Sequence, residues 1–494
     1  MKRNARTIVA WSALAAWLAV MTIWGWPLGR YSPDSWMYWD MAQNIQDGTP
    51  FSANTVRQFQ SRAGLATSFP IGYPFVLALV EWVVPVGARV GIVVNIAMLL
   101  VAAALLYRHL RPAGLQAYGP TIVLAVSLFL PFTDEVVAGR TMPMAFTMTV
   151  ALLVLVDRAK TRADWIAVGA WSGLGGLVRF DLLPILILTA LATGVLRRLH
   201  ATQPEGAPAW SHIGLMCAAA LASVTLVHLG VTTGAGERIP SDNLRTIIAT
   251  SPTFVRDYLP DGVETLLENP SAWVRRLAGN TRTVARSIYV AGINGIVPFV
   301  VLVVARRRRV EDPRFFIPSV ALGLVAFPVV SGLMFATSYG DIRYWTPFVI
   351  AVCIVALAAP GIPRIPTGVR IAALTLAMVT ASRLFPVGEM SAAWEARGSN
   401  PIAAPAIEGL ETHCMESSDR IMLLRTGSAT RLATIERVRT SATPSNLADL
   451  DASLQLRFVQ EFGITHVHDD EGLLVNLLLE TGRTPCDGLL RILP

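Results

Sequence analysis

The chain has 494 residues, 53% of them hydrophobic and only 15% charged, with a positive mean hydropathy. A soluble protein carries about 25% charge, so the composition excludes an ordinary soluble enzyme and describes a polytopic membrane protein. The net charge of +7 is no sign of nucleic-acid binding, because Lys and Arg collect in the cytoplasmic loops of membrane proteins and report orientation.

Apolar stretches recur from Thr7 to about Pro386, each roughly 15 to 20 residues and so able to cross a hydrocarbon core about 30 Å thick. The opening "MKRNAR" precedes an apolar run that ends in "WGWP" without a small-residue cleavage site, which reads as a retained first helix over about 7–26 and not as a signal peptide. Lys2, Arg3 and Arg6 keep the N-terminus inside. Residues 27–70 then form an exterior loop.

Further basic segments, "YRHLRP" (107–112), "DRAKTR" (157–162), "RRLH" (197–200), "RRRR" (306–309) and "PRIPTGVR" (363–370), belong inside by the same rule. That threading puts "TDEVVAGR" (133–140), "VRFDLLP" (178–184), residues 232–287, "TSYGDIRYW" (337–345) and everything after about 386 outside. Residues 72–107 hold two apolar runs split near "VPVGARVG", although the parity of the scheme asks for one crossing there. The expectation is an all-α membrane domain over 1–385 with about 11 to 12 transmembrane helices, including the exterior loops 27–70 and 232–287.

The tail over 386–494 has short hydrophobic runs and frequent charges, with alternating strand-like and helix-like patterns in "DRIMLLRTG", "LQLRFVQEFGITHVHDD" and "CDGLLRILP". It reads as a small extracytoplasmic α/β domain. Cys414 and Cys486 fall in it, whereas Cys217 and Cys353 sit in apolar helices. An oxidising exterior allows a Cys414–Cys486 disulfide, with two unpaired thiols as the alternative.

Charge near the hydrocarbon is costly, so polar clusters at helix ends on one face are candidate functional groups. Asp34 follows Ser32-Pro33 and precedes Trp36, Tyr38 and Trp39. The aromatics suit the headgroup level, where partial desolvation raises a carboxylate toward the range of a general base. The structural alternative is a helix N-cap over "SWMYWDMAQNIQDG", ended by Gly48, with Asp40 and Asp47 on the solvated face. Asp134 and Glu135 open a second cluster, with Arg140 near enough to neutralise one of them. Arg179 and Asp181 form a third, for which a self-contained ion pair is the plain explanation.

Arg343 lies near Asp341 between aromatic residues. A planar guanidinium fork suits a phosphate or diphosphate, so an outward-facing arginine at lipid depth suggests a phosphorylated lipid. Together these groups describe an outer-leaflet cavity with an acid, arginines and a rim of aromatics (Tyr31, Trp36, Tyr38, Tyr344) suited to sugars. Where a polyprenyl phosphate is the leaving group, one base that deprotonates an acceptor hydroxyl is enough, which accounts for a single prominent Asp.

Several segments, "SPDSWMYWDMAQNIQDG", "SFPIGYPFVLALV", "GLGGLVRFDLLPIL" and "RYWTPFVI", resemble in their order the GT-C superfamily of polytopic glycosyltransferases, especially bacterial relatives of protein mannosyltransferases and lipid A aminoarabinose transferases. The resemblance spans roughly residues 1–360. It implies that Asp34 is the catalytic carboxylate and that Arg343 contacts the donor phosphate, with Asp134 and Glu135 as stand-ins for the family's second acidic residue; Arg179 is a second candidate to hold the phosphate. Phe180 departs from the family's usual proline, Ser68-Phe69-Pro70 lacks its His-Pro-Pro, and "AGRTMPMAF" lacks its acidic residue.

No cofactor is firmly implied. Some members of the superfamily bind a divalent cation, but no convincing ligand set is visible, and His466 and His468 in "THVHDD" read as strand residues beside a polar turn. The expected partners are a polyprenyl-phosphate sugar donor, membrane lipids and an envelope glycan, lipid or protein acceptor, with no nucleic acid. The expected place is the bacterial cytoplasmic membrane. A transporter or flippase of lipid-linked saccharides is the rival reading, although internal repeats, expected of a transporter, are not evident. A silent scaffold is a third.

Overall fold

The computed structural model describes residues 2–27, 33–49, 55–56, 70–179, 181–200, 209–235, 270–305, 313–337, 342–358, 420–423, 439–442, 452–461, 464–468, 481–483 and 490–492. By contact it divides into two compact units: residues 1–30, 89–230 and 280–397 in the first, and residues 31–88, 231–279 and 398–494 in the second. The strip 306–309, Tyr31, Asp341, Cys414 and Cys486 lie outside the described residues.

The first unit is a helical bundle: α1 (Lys2–Gly25), α4 (Val90–Leu110), α5 (Tyr118–Ser127), α6 (Leu130–Val137), α7 (Met142–Arg158), α8 (Arg162–Leu174), α9 (Leu182–His200), α10 (Trp210–Ala235), α11 (Pro270–Ala305), α12 (Pro313–Thr337) and α13 (Thr346–Ala358). Among the described residues five helices are long and apolar enough to cross a membrane, or up to six if the bent pair α5–α6 is one span. The chain is a multi-pass membrane protein. α7 is the central helix, buried along its length from Met142 to Val156 and packed on α4, α8, α9 and α12.

Local chemistry fixes the breaks. α5 and α6 meet at 88° around Pro131, at the start of α6, where a missing N–H costs nothing. The carbonyl of Ser127 freed at the bend accepts the Thr133 hydroxyl at 2.6 Å. α6 ends in a Schellman motif: Gly139, at φ 68°, donates to Val136 O, and Arg140 N–H reaches back to Glu135 O at 2.9 Å. α8 opens with a capping box between Thr161 and Asp164.

In the second unit, α2 (Pro33–Gln46) and α3 (Gly72–Val83) pack together, with Tyr38 edge-on to Tyr73 at 5.3 Å and Gln46 Nε2 donating to Ala78 O at 3.1 Å. A six-stranded sheet runs β1 (Thr55–Val56), β3 (Arg439–Ala442), β2 (Arg420–Leu423), β4 (His466–His468), β6 (Leu490–Ile492), β5 (Thr481–Arg483), beside α14 (Ala452–Glu461). The first four strands are parallel, and β4–β6 and β6–β5 are antiparallel. β1 lies between α2 and α3 in sequence and pairs with β3 of the tail, so the two segments share one sheet.

The two apolar runs of 72–107 differ in length. α3 has 12 residues, about 18 Å at 1.5 Å per residue, too short for a core of about 30 Å. The 24-residue run Gly87–Leu110 is long and apolar enough to cross by itself.

Candidate active site

Glu135 is the centre of the first unit's polar cluster. It is 1% exposed, and its Oε1 accepts from Arg140 Nη1 at 2.7 Å and from Arg343 Nη1 at 3.0 Å. The Schellman turn explains the first contact, since it folds residue 140 back beside residue 135. The second comes from a 3₁₀ turn, Ile342–Trp345, clamped by Thr346 Oγ1 donating to Arg343 O at 2.7 Å and Trp345 Nε1 donating to Ser287 Oγ at 2.8 Å. Trp345 also packs on Phe327 and Phe348, which keeps the turn from rotating.

Glu135 Oε2 is buried and accepts no hydrogen bond from the described residues. The backbone beneath is held by Asn95 on α4, whose amide donates to Glu135 O at 3.2 Å and to Val136 O at 3.3 Å. The acid is therefore fixed at its backbone and at one oxygen, and its other oxygen keeps its capacity to accept a hydrogen bond.

Arg179 is buried, with 9% exposure. Its Nε and Nη2 form a fork on Asp181 at 2.9 and 3.3 Å, and its Nη1 donates to Thr141 Oγ1 at 3.1 Å. Burial opposes its charge, but Asp181, Tyr344 and Glu135 outweigh that and the adjacent Arg343, holding the guanidinium above its ordinary range. Both arginines lie near one ring: the Arg179 guanidinium is 5.0 Å from the Tyr344 centroid and that of Arg343 5.7 Å, distances at which a cation is attracted to a ring face. Thr141 precedes α7 and Asp181 precedes α9, so the cluster collects at two helix N-termini, whose dipoles favour anions.

Asp34 belongs to the second unit. Pro33 starts α2, which places Asp34 in the first turn and not at the N-cap. Gly48, at φ 81°, ends the helix with Thr49 N–H on Asn44 O, as the sequence pattern implies. Asp34 is half-buried. Trp36, Tyr38 and Trp39 are 7%, 7% and 8% exposed, so these rings are packed inside the unit and not spread along an open rim. Asp40 departs from expectation: it is 1% exposed, on the packed side of α2, while Asp47 is exposed as expected.

The sequence reading brought Glu135 to Arg140 and Arg179 to Asp181. It missed Asn95, Thr141 and the meeting of Glu135 with Arg343. Asn95 carries the detectable signal, a lone amide in "VGIVVNIAMLL", where an apolar helix spends a polar group only for a partner. Asp134 is half-buried beside the cluster. His466 is buried, its Nδ1 2.8 Å from Thr465 Oγ1, and among the described residues no three His, Cys, Asp or Glu side chains converge.

No family model and no curated protein matches the sequence. Solved structures match over nearly the whole chain. ArnT from Cupriavidus metallidurans bound to undecaprenyl phosphate superposes with a TM-score of 0.54 at 12% identity, covering 97% of each chain. The oligosaccharyltransferase AglB from Archaeoglobus fulgidus, in complex with an inhibitory peptide and a dolichol-phosphate, is more distant, with a TM-score of 0.43 at 10% identity over 91% of this chain and 69% of that one. The likeness to ArnT shows the fold: the chain shares the architecture of that structure.

Proposed function

We propose that the chain transfers a sugar from a polyprenyl-phosphate donor to an acceptor hydroxyl at the outer face of the cytoplasmic membrane. Asp34 takes the acceptor proton as the oxygen attacks the anomeric carbon, and the lipid phosphate leaves with the bonding electrons. Arg343 and Arg179 neutralise that phosphate, and Glu135 acts as the second acid of the site, its Oε2 receiving a sugar or acceptor hydroxyl.

The observation that carries the reading is the pair of guanidiniums, Arg179 and Arg343, 5.0 and 5.7 Å from the Tyr344 ring centroid, with Arg179 bonded to Thr141 and Asp181 at the starts of α7 and α9. Charge clustered there has a purpose that packing alone does not supply, and planar forks suit phosphate. Orientation supports it as well. The opposite ends of α4, α7 and α9 carry Arg108, Arg111, Arg158, Arg197 and Arg198, which the positive-inside rule assigns to the cytoplasm, leaving the Glu135 cluster outside. ArnT, bound to undecaprenyl phosphate, supplies the parallel for a lipid-phosphate donor.

Asp34→Asn tests the reading in liposomes with a polyprenyl-phosphate sugar. Loss of a general base costs roughly 10²- to 10⁴-fold in turnover, with melting temperature unchanged. Near-normal transfer removes Asp34 from the chemistry, and movement of the intact lipid-linked sugar without transfer would establish a flippase instead.

A further inference from the structure

Along α11 the buried residues Asn280, Ser287 and Ala291, 6%, 3% and 7% exposed, fall on one stripe at about 100° per residue. Two hydrogen bonds hold that stripe to the bundle: Asn280 Nδ2 donates to Phe335 O on α12 at 2.7 Å, and Trp345 Nε1 donates to Ser287 Oγ at 2.8 Å. On the opposite side, within a stripe about 80° wide, stand Arg282, Arg286, Tyr289, Ile293 and Ile296. Both arginines are exposed, and the other three are 69%, 44% and 53% exposed. Ala285 and Gly292 border this stripe and are exposed as well, so its edge is flat.

The stripe lies in the apolar span Leu277–Val300, and so looks onto lipid. Arg282 and Arg286 are five and nine residues into that span, about 8 and 14 Å along its axis. A cation at such a depth is costly without a counter-charge. α11 contains no Asp or Glu, and among the described residues neither arginine takes part in an ion pair. The counter-charge has to come from the bilayer. Arginines that merely orient a helix collect at its cytoplasmic end, which in α11 is the end leading into "RRRR" (306–309). Arg282 and Arg286 stand at the other end, beside the Ser287–Trp345 bond.

We infer that Arg282 and Arg286 bind the phosphate of an anionic phospholipid, with an acyl chain lying along Tyr289, Ile293 and Ile296. The two residues are one turn apart, so both guanidinium forks can reach one phosphodiester. The order of cation, aromatic ring and aliphatic side chains along the stripe repeats the order of headgroup, interface and hydrocarbon in the bilayer. A bilayer phospholipid fits better than the polyprenyl-phosphate donor because the stripe is open on both sides. It has no wall to tell an isoprenoid from an acyl chain, so charge and abundance choose the occupant. The bound lipid neutralises the charge beside Ser287, whose hydroxyl holds the turn that carries Arg343.

The test places the photoreactive residue p-benzoyl-phenylalanine at position 289 of the full chain, or at position 221 on the exposed face of α10, in nanodiscs of equal phosphatidylglycerol and phosphatidylcholine. Adducts at 289, identified by mass spectrometry, should favour phosphatidylglycerol about tenfold, and those at 221 should follow the lipid mixture. Arg282→Gln/Arg286→Gln should bring position 289 to the mixture ratio. In the unsubstituted arginine background, raising the salt from about 0.05 to about 0.5 M should lower the preference, a readout that needs no variant to fold. A preference at 289 that survives both treatments, or an equal preference at 221, would overturn the site. Polyprenyl phosphate added at low mole fraction should leave the phosphatidylglycerol adducts unchanged; its own adducts replacing them would overturn the phospholipid as occupant. No arm measures sugar transfer, so the site can fail while the proposed function stands, and the reverse.

Discussion

Arg343 and Glu135, 208 residues apart in sequence, meet through an Nη1–Oε1 hydrogen bond of 3.0 Å, and Arg140 donates to the same oxygen at 2.7 Å. The consequences of breaking this triad are unequal. Arg343→Met leaves Glu135 paired with Arg140 and should cost about 1–3 kcal/mol. Glu135→Gln removes the carboxylate that the two arginines share, and should cost about 3–5 kcal/mol. The double variant should lose less than the sum, with a coupling of about 0.5–3 kcal/mol. Unfolding in detergent measures all three, and additive losses would mean that the contact is not energetically coupled.

The fold was legible in the sequence where a periodic or compositional signal was local. Apolar length gave the helices, the Pro33 and Gly48 boundaries gave α2, and the proximity of residues 135 and 140 gave their ion pair. What was not legible was non-local. Nothing in "RYWTPFVI" names Glu135 as the partner of Arg343, because that contact depends on how α6 turns 88° from α5 and brings its carboxylate round. Strand β1 escaped for the same reason: two residues, Thr55 and Val56, carry no period, and only their partner in β3 makes them a strand. Asp40 misled because its neighbours suggested an amphipathic helix with a wet side, whereas its side chain is 1% exposed.

Gly169 on α8 sets how closely α10 approaches. A Cβ there would lie 2.1 Å from Met216 O and 3.0 Å from Ala219 Cβ, the small-residue backbone packing that membrane helices use in place of a hydrophobic drive. Gly169→Ala gains up to about 1 kcal/mol in helix propensity but forces backbone apart, which costs about 1–3 kcal/mol or more. Gly214→Ala on α10, with nothing within 4 Å of the added carbon, keeps only the gain. The melting temperature should fall in the first variant and hold or rise in the second; a rise in both would show that α8 and α10 separate freely.

Glu81 links stability to pH. Partial burial lifts its carboxyl above the ordinary 4.5, and the Gly87 and Val86 amides offset only part of that. An acid with a raised native pKa favours the protonated form, so its contribution is present below pH 4.5 and is lost as pH climbs through the raised value. Relative to Glu81→Gln, which cannot ionise, the wild type should therefore melt higher at about pH 4 than at about pH 7. A difference between the two proteins that stays constant over that range would show that Glu81 titrates as it does in water.

At the C-terminal ends of α4, α7 and α9, Asp157 joins the three helices. Its Oδ2 lies 3.2 Å from His109 Nε2 on α4, and its Oδ1 accepts from Arg197 Nη2 on α9 at 2.6 Å, while Arg197 Nη1 donates to Val156 O at 2.7 Å. The three side chains are 8%, 10% and 15% exposed for His109, Asp157 and Arg197. Asp157→Ala leaves a largely buried guanidinium without its carboxylate, and should cost about 3 kcal/mol or more. Asn95 and His109 stand fourteen residues apart on α4, about 21 Å at the helical rise, so the loss is remote from the Glu135 cluster. At a temperature where both proteins are folded, transfer per folded molecule should equal that of the wild type, measured in the same liposome assay as Asp34→Asn. A drop in turnover without a drop in melting temperature would show that the two ends of α4, α7 and α9 communicate.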